Sequence, residues 1–108
     1  MSSKTVYVIN KAAHDFSAAE RFGKIQFLST GAINKYAVSR IYRQFFEALA
    51  KSNEEDHILL TSLTVMCVIA CCIFAMKHQR LNILLFKDDD YVSRTIDLKG
   101  DFSGREED

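Results

Sequence analysis

The spacing of apolar residues changes several times along the chain, and each change marks an element. Thr5-Val-Tyr-Val-Ile-Asn is rich in β-branched and aromatic residues and reads as a first strand. His14-Asp-Phe-Ser-Ala-Ala-Glu is a loop entering a short helical turn. Ser17 and Glu20 have the spacing of a capping box there, and Gly23 closes the turn. Lys24-Ile-Gln-Phe-Leu-Ser alternates, as a second strand does. After a turn at Ser29-Thr-Gly, the spacing predicts a helix over Asn34 to Lys51. Ala37, Ile41, Phe45, Ala48 and Leu49 recur at three- and four-residue intervals, and Val38, Tyr42 and Phe46 widen the stripe.

Ile58 to Met76 is nineteen residues without a charge, the length of a membrane-spanning helix. Acids precede it (Glu54, Glu55, Asp56) and bases follow it (Lys77, Arg80), which would orient such a span. Its internal pattern argues against a span. His57-Ile-Leu-Leu-Thr-Ser is a short apolar run ending in turn formers, like a buried parallel strand. Thr64 to Met76 then reads as a helix that Thr64 or Ser62 caps. Leu81 to Phe86 is a fourth strand, Lys87-Asp-Asp-Asp a turn, and Tyr91 to Leu98 a fifth strand in a hairpin with the fourth.

The order is therefore β-β-α-β-α-β-β. This is an α/β class, with a mixed, mostly parallel sheet of about five strands and two main helices. Residues 1–99 form one compact domain, and 100–108 a charged, frayed tail. The strands at 58–62 and 81–86 belong in the centre, with the Tyr91 strand antiparallel. Two helices cover such a sheet thinly, which points to a homo-oligomer.

Composition narrows the functional classes. A chain of 108 residues is one domain, long enough to bury a core without staples. Fourteen basic and fourteen acidic residues cancel, so there is no strong case for duplex nucleic acid. Lys11 to Lys51 nonetheless carries seven basic residues against three acidic, enough for a local basic pocket. Cys67, Cys71 and Cys72 lie together in the apolar run. They are expected as buried free thiols in a reducing compartment, hence a cytoplasmic protein. No second ligand cluster supports a metal, and no cofactor is implied. The first ten residues read as a strand, without the pattern of a signal peptide.

Two turns at helix starts carry the candidate ligand chemistry. One runs from Ser29, Thr30 and Gly31 to Lys35; the other holds Thr61, Ser62 and Thr64. Both offer hydroxyls and free backbone N–H groups suited to a phosphate, although neither is a P-loop. Arg40 follows on the first helix. The Arg43–Glu47 spacing suits surface charge, and Tyr36 and Tyr42 could stack on a base, although aromatics at this spacing more often belong to the core. Arg80, Asn82 and Arg94 form a further candidate set, an amide beside two guanidiniums at the hairpin end of the sheet. His14-Asp15 is the only pair in the order His–Asp and the one catalytic candidate. No Gly-x-Ser-x-Gly elbow accompanies it, and loop capping by Asp15 competes.

The segment from His14 to Gly23, the Thr30-Gly31 turn, the Arg/Tyr helix and Lys77-His-Gln-Arg-Leu-Asn-Ile-Leu-Leu-Phe resemble small phage-encoded α/β proteins. The resemblance implies a host-defence antagonist that acts by binding, as sponges for nucleotide-derived immune signals do. It carries over no binding residue. The expected function is non-catalytic binding of a phosphorylated or nucleotide-derived ligand. The alternative is a structural or regulatory homo-oligomer that binds a protein partner.

Overall fold

A computed structural model describes residues 4–11 and 14–100. Five strands form one sheet: β1 (Thr5–Val8), β2 (Lys24–Phe27), β3 (His57–Leu59), β4 (Arg80–Lys87) and β5 (Asp90–Asp97). Their spatial order is β2-β1-β3-β4-β5. The first four are mutually parallel, and β5 is antiparallel to β4. The expected α/β class, element order and central position of β3 and β4 are all present. Of the expected tail at 100–108, residues 101–108 lie outside the described residues.

The connections explain which face each helix covers. Parallel strands need crossovers, and crossovers in one sheet are right-handed. β2 to β3 and β3 to β4 run the same way across the sheet, so α1 (Val38–Leu49) and α2 (Thr64–His78) share one face. Ile41, Phe45 and Leu49 of α1 and Met66, Ala70, Ile73 and Phe74 of α2 pack there on Tyr7, Ile9 and Ile58. β1 to β2 runs the opposite way, through a 3-10 helix at Ser17–Phe22 on the other face. That face buries Val6, Val8, Leu59, Leu84 and Tyr91 beneath Phe16 and Ala19. Arg21 fastens the short helix to the hairpin. Its Nη2 donates to Asp90 Oδ2 at 3.0 Å and to the Tyr91 carbonyl at 2.7 Å.

The charge-free run of residues 58–76 is divided as its pattern implied. A strand ends at Leu59, a turn follows, and α2 begins at Thr64. Fifteen residues of helix reach about 22 Å. Among the described residues, no helix is long and apolar enough to cross a membrane.

Several local expectations are corrected. α1 starts at Val38 instead of Asn34, because Asn34 Oδ1 accepts the Tyr36 N–H at 3.0 Å and forms a turn. Ser17 and Glu20 form no capping box. The residue before the 3-10 helix is Phe16, and Asp15 Oδ1 instead accepts the Ser17 N–H at 2.9 Å. No side chain caps α2 either: Thr64 Oγ1 donates to the Ser62 carbonyl, and Thr61 Oγ1 accepts from the Leu63 N–H. Val38, Tyr42 and Phe46 do not extend the buried stripe of α1; they are 49%, 41% and 46% exposed. Cys67 is buried as expected, whereas Cys72 is exposed.

Gly23 has φ +154°, and a Cβ there would meet the Lys4 carbonyl oxygen at 2.7 Å. That carbonyl accepts the Lys24 N–H that starts the β1–β2 pairing. Gly23→Ala is therefore expected to cost about 2 kcal/mol or more, read as a lowered urea midpoint. The same substitution at Gly31, where nothing lies within 4 Å of the added carbon, adds only the strain of its positive φ.

Candidate functional site

Strand order reverses between β1 and β3, so the connections leaving these two neighbours diverge to opposite faces. A crevice opens where they part, beyond the carboxyl ends of the strands. Two cavities occupy it. One of about 420 Å³ lies among Asn10, Gly31, Ala32, Ile33, Lys35 and the stretch from Ser62 to Met66. The other, about 460 Å³, lies among Asn10, His14, Phe16, residues 59–63, Phe86 and Tyr91. Asn10, Ser62 and Leu63 line both.

Asn10 sits just past β1 and builds the wall between them. Its Nδ2 donates to the Gly31 carbonyl at 3.0 Å, and its Oδ1 accepts from Ser29 Oγ at 2.9 Å. Ser29 is buried and also donates to the Ile9 carbonyl at 2.8 Å, so it holds the turn from behind. Gly31 allows the turn its positive φ of +76°. On the opposite wall, Thr61 is fixed by Cys67, whose sulfur lies 3.4 Å from the Thr61 nitrogen. The first-turn amides of α2 have no side-chain cap and no intrahelical partners, and they border the first cavity.

The two cavities differ in chemistry. In the first, Lys35 is the one charged side chain of the lining, beside hydroxyls and the positive end of α2. The second is aromatic: His14 meets Phe16 edge-on at 4.9 Å and Phe86 at 6.1 Å, and Phe86 meets Tyr91 at 5.3 Å. No acidic residue lines either cavity among the described residues. Burial, aided by Asp15, raises the Tyr91 hydroxyl above its ordinary pKa, so that group stays neutral.

Of the residues expected to bind, Gly31, Lys35, Thr61, Ser62 and Thr64 converge on this crevice. Ser29 stands behind it. Thr30 pairs with Lys11 in an isolated bridge, and Arg40 lies on α1; both are exposed, and neither lines a cavity. His14 lies at the rim, and the Asp15 carboxylate is turned to the Ser17 amide rather than to the imidazole. Asn10, Phe16, Phe86 and Tyr91 were not expected here. The one sequence signal for Asn10 was its place at the end of the first strand as read from the pattern.

Arg80 and Asn82 lie at the start of β4, the opposite edge from the hairpin turn at Asp88–Asp89. Asn82 is 2% exposed and fully engaged. Its Nδ2 donates to the carbonyls of Glu54 and Asp56 at 2.7 and 2.8 Å, and its Oδ1 accepts from Thr95 and Arg80. Arg94 pairs with Ile83, and Asn82 pairs with Thr95, so the two side chains project from opposite faces. The expected amide therefore has one guanidinium beside it. Asp56 completes this edge, accepting the Thr5 and Asn53 N–H groups at 2.8 Å each.

Residues 4–99 match the family model described as phage Pam3 gp32-like protein. No curated protein and no solved structure matches the chain.

Asn82→Ala strands the carbonyls it serves and is expected to cost about 2 kcal/mol in a denaturant titration. Any affinity of the crevice, at the other edge, should be unchanged. A second expectation concerns pH. Burial, reinforced by Lys4, holds the His57 imidazole below its ordinary pKa, and burial with Lys77 does the same to His78. The unfolded chain binds these protons near pH 6.5 and the folded one only at lower pH. Their contribution is thus complete above about pH 6.5 and is lost on acidification below it. The melting temperature should fall between pH 7 and 5, and the fall should flatten in the His57→Gln/His78→Gln double variant.

Proposed function

We propose, for a chain that belongs to the phage Pam3 gp32-like family, that it binds a phosphorylated, nucleotide-derived ligand in this crevice without transforming it. The observation that carries the reading is the pairing of an anion-suited cavity with an aromatic one across the shared Asn10 wall. A phosphate fits beside Lys35 and the first turn of α2, where donors are free and positive potential accumulates. A planar base fits against the rings of Phe86 and His14, and stacking of this kind tolerates many bases. The combined size suits a ligand of nucleotide dimensions.

Non-catalytic binding accords with the chemistry of the lining. Among the described residues no carboxylate is hydrogen-bonded to His14, since Asp15 Oδ1 accepts the Ser17 N–H, and the Thr61 hydroxyl faces a neighbouring amide and a thiol instead of a base. A phage product that holds a nucleotide intact in the host cytoplasm would lower the free concentration of a signal made against the phage. Sequestration of a host immune signal is the role proposed.

A thermal-shift screen of mononucleotides, cyclic dinucleotides and ADP-ribose derivatives tests this directly. A true ligand at a hundredfold excess over its Kd should add about 2.7 kcal/mol of stability. Lys35→Glu should weaken it by a factor of roughly ten or more, and Phe86→Ala by a similar factor. Mass spectrometry of the denatured complex should return the ligand unchanged. If no compound shifts the melting temperature and nothing co-purifies, the proposal fails; conversion of the ligand would replace binding by catalysis.

A further inference from the structure

The outer side of the helical layer has an apolar ladder on each helix. Val38, Tyr42 and Phe46 recur at four-residue intervals on α1, and Val68, Cys72 and Met76 do so on α2. All six are exposed; Val68 is 55% and Met76 60% accessible. A groove of about 510 Å³ runs between the ladders, lined by Val38, Tyr42, Arg43, Val68 and Cys72 among others. The Tyr42 and Phe46 rings adjoin in a tilted pair with centroids 5.7 Å apart. Nothing in the buried core of the chain calls for these residues, since Ile41, Phe45 and Leu49 already fill the inward stripe.

We infer that this two-helix face is the interface with a second copy of the chain, related by a two-fold axis that lies in the interface plane, perpendicular to α1, and passes over α1 midway between Arg43 and Glu47. Two observations favour a copy of this chain as the occupant. The first is charge. Arg43 and Glu47 are exposed and one turn apart on the same helix side. An antiparallel α1 across that axis places Arg43 of each copy opposite Glu47 of the other, so the surface complements itself, as an isologous contact requires. The overall balance of fourteen basic and fourteen acidic residues adds no net repulsion. The second is size. Helices of 12 and 15 residues lying side by side present a face about 20 Å square. That is a footprint of about 400 Å² per copy, about half the roughly 800 Å² per partner of a standard interface, and it suits a small contact that forms at micromolar concentration.

This interface is separate from the crevice, so its test stands apart from any ligand. Analytical ultracentrifugation of the full chain should show a dimer at tens of micromolar. Val68→Glu, which drives a charge into the groove, should raise the dimer dissociation constant on the order of a hundredfold. Arg43→Glu should weaken the dimer, and Arg43→Glu/Glu47→Arg should restore it. The charge-swap pair also keeps the test decisive if Val68→Glu fails to fold, because both of its positions are on the surface. A monomer at that concentration overturns the inference. So does a dimer indifferent to these substitutions, or one broken instead by Ile96→Glu on the exposed β5 surface.

Discussion

The handedness of the parallel crossovers governs this molecule more than any single contact. Three crossovers, all right-handed, leave β1, β2 and β3, but the first steps across the sheet in the direction opposite to the other two. The reversal sends one connection to each side. It therefore opens the crevice between the ends of β1 and β3, and it puts both long helices on the same face. The opposite face is left to six residues of 3-10 helix, with Phe16 and Ala19 as its roof and Arg21 as its clasp.

The two edges of the sheet answer different demands. At the edge where β3 and β4 begin, the side chains of Asp56 and Asn82 are buried and paired. Asp56 serves two amides, and Asn82 serves two carbonyls while accepting from Thr95 and Arg80. Buried polar groups that are fully paired in this way fix one arrangement and leave nothing over for a ligand. At the edge where β1 and β3 end, Ser62, Thr64, Lys35 and the first turn of α2, whose amides have no side-chain cap, line the first cavity. Asn10 belongs to this edge, yet both ends of its amide are spent on the frame.

Much of the fold was legible because its periodicities are clean. The β-branched run at Thr5, the three- and four-residue stripe through Ile41, Phe45 and Leu49, and the break at Thr61–Ser62 each report local geometry that burial enforces. The start of α1 was misplaced because Asn34 uses its side chain to make a turn, a preference that the apolar stripe does not encode. Half of the crevice was legible through the turn residues at strand ends. The aromatic half was not, because Phe16, Phe86 and Tyr91 come from three elements that only the sheet order brings together. Arg80 and Asn82 were grouped with the hairpin, although β4 places them a full strand length from its turn.

The Asp88–Asp89 turn bears on how the chain assembles. Both residues adopt left-handed backbone angles, φ +53° and +62°, which match the twist of a two-residue hairpin. The pairing of β4 with β5 is therefore entirely local, from Lys87–Asp90 outward to Arg80–Asp97. Hairpins of this kind close in about 1–10 μs. Pairing Val6 with His57 must instead close a loop spanning half the chain, a slower and entropically costlier event. When the full-length chain refolds, loop-closure entropy thus favours the hairpin first and the β1–β3 junction, which borders the crevice, later.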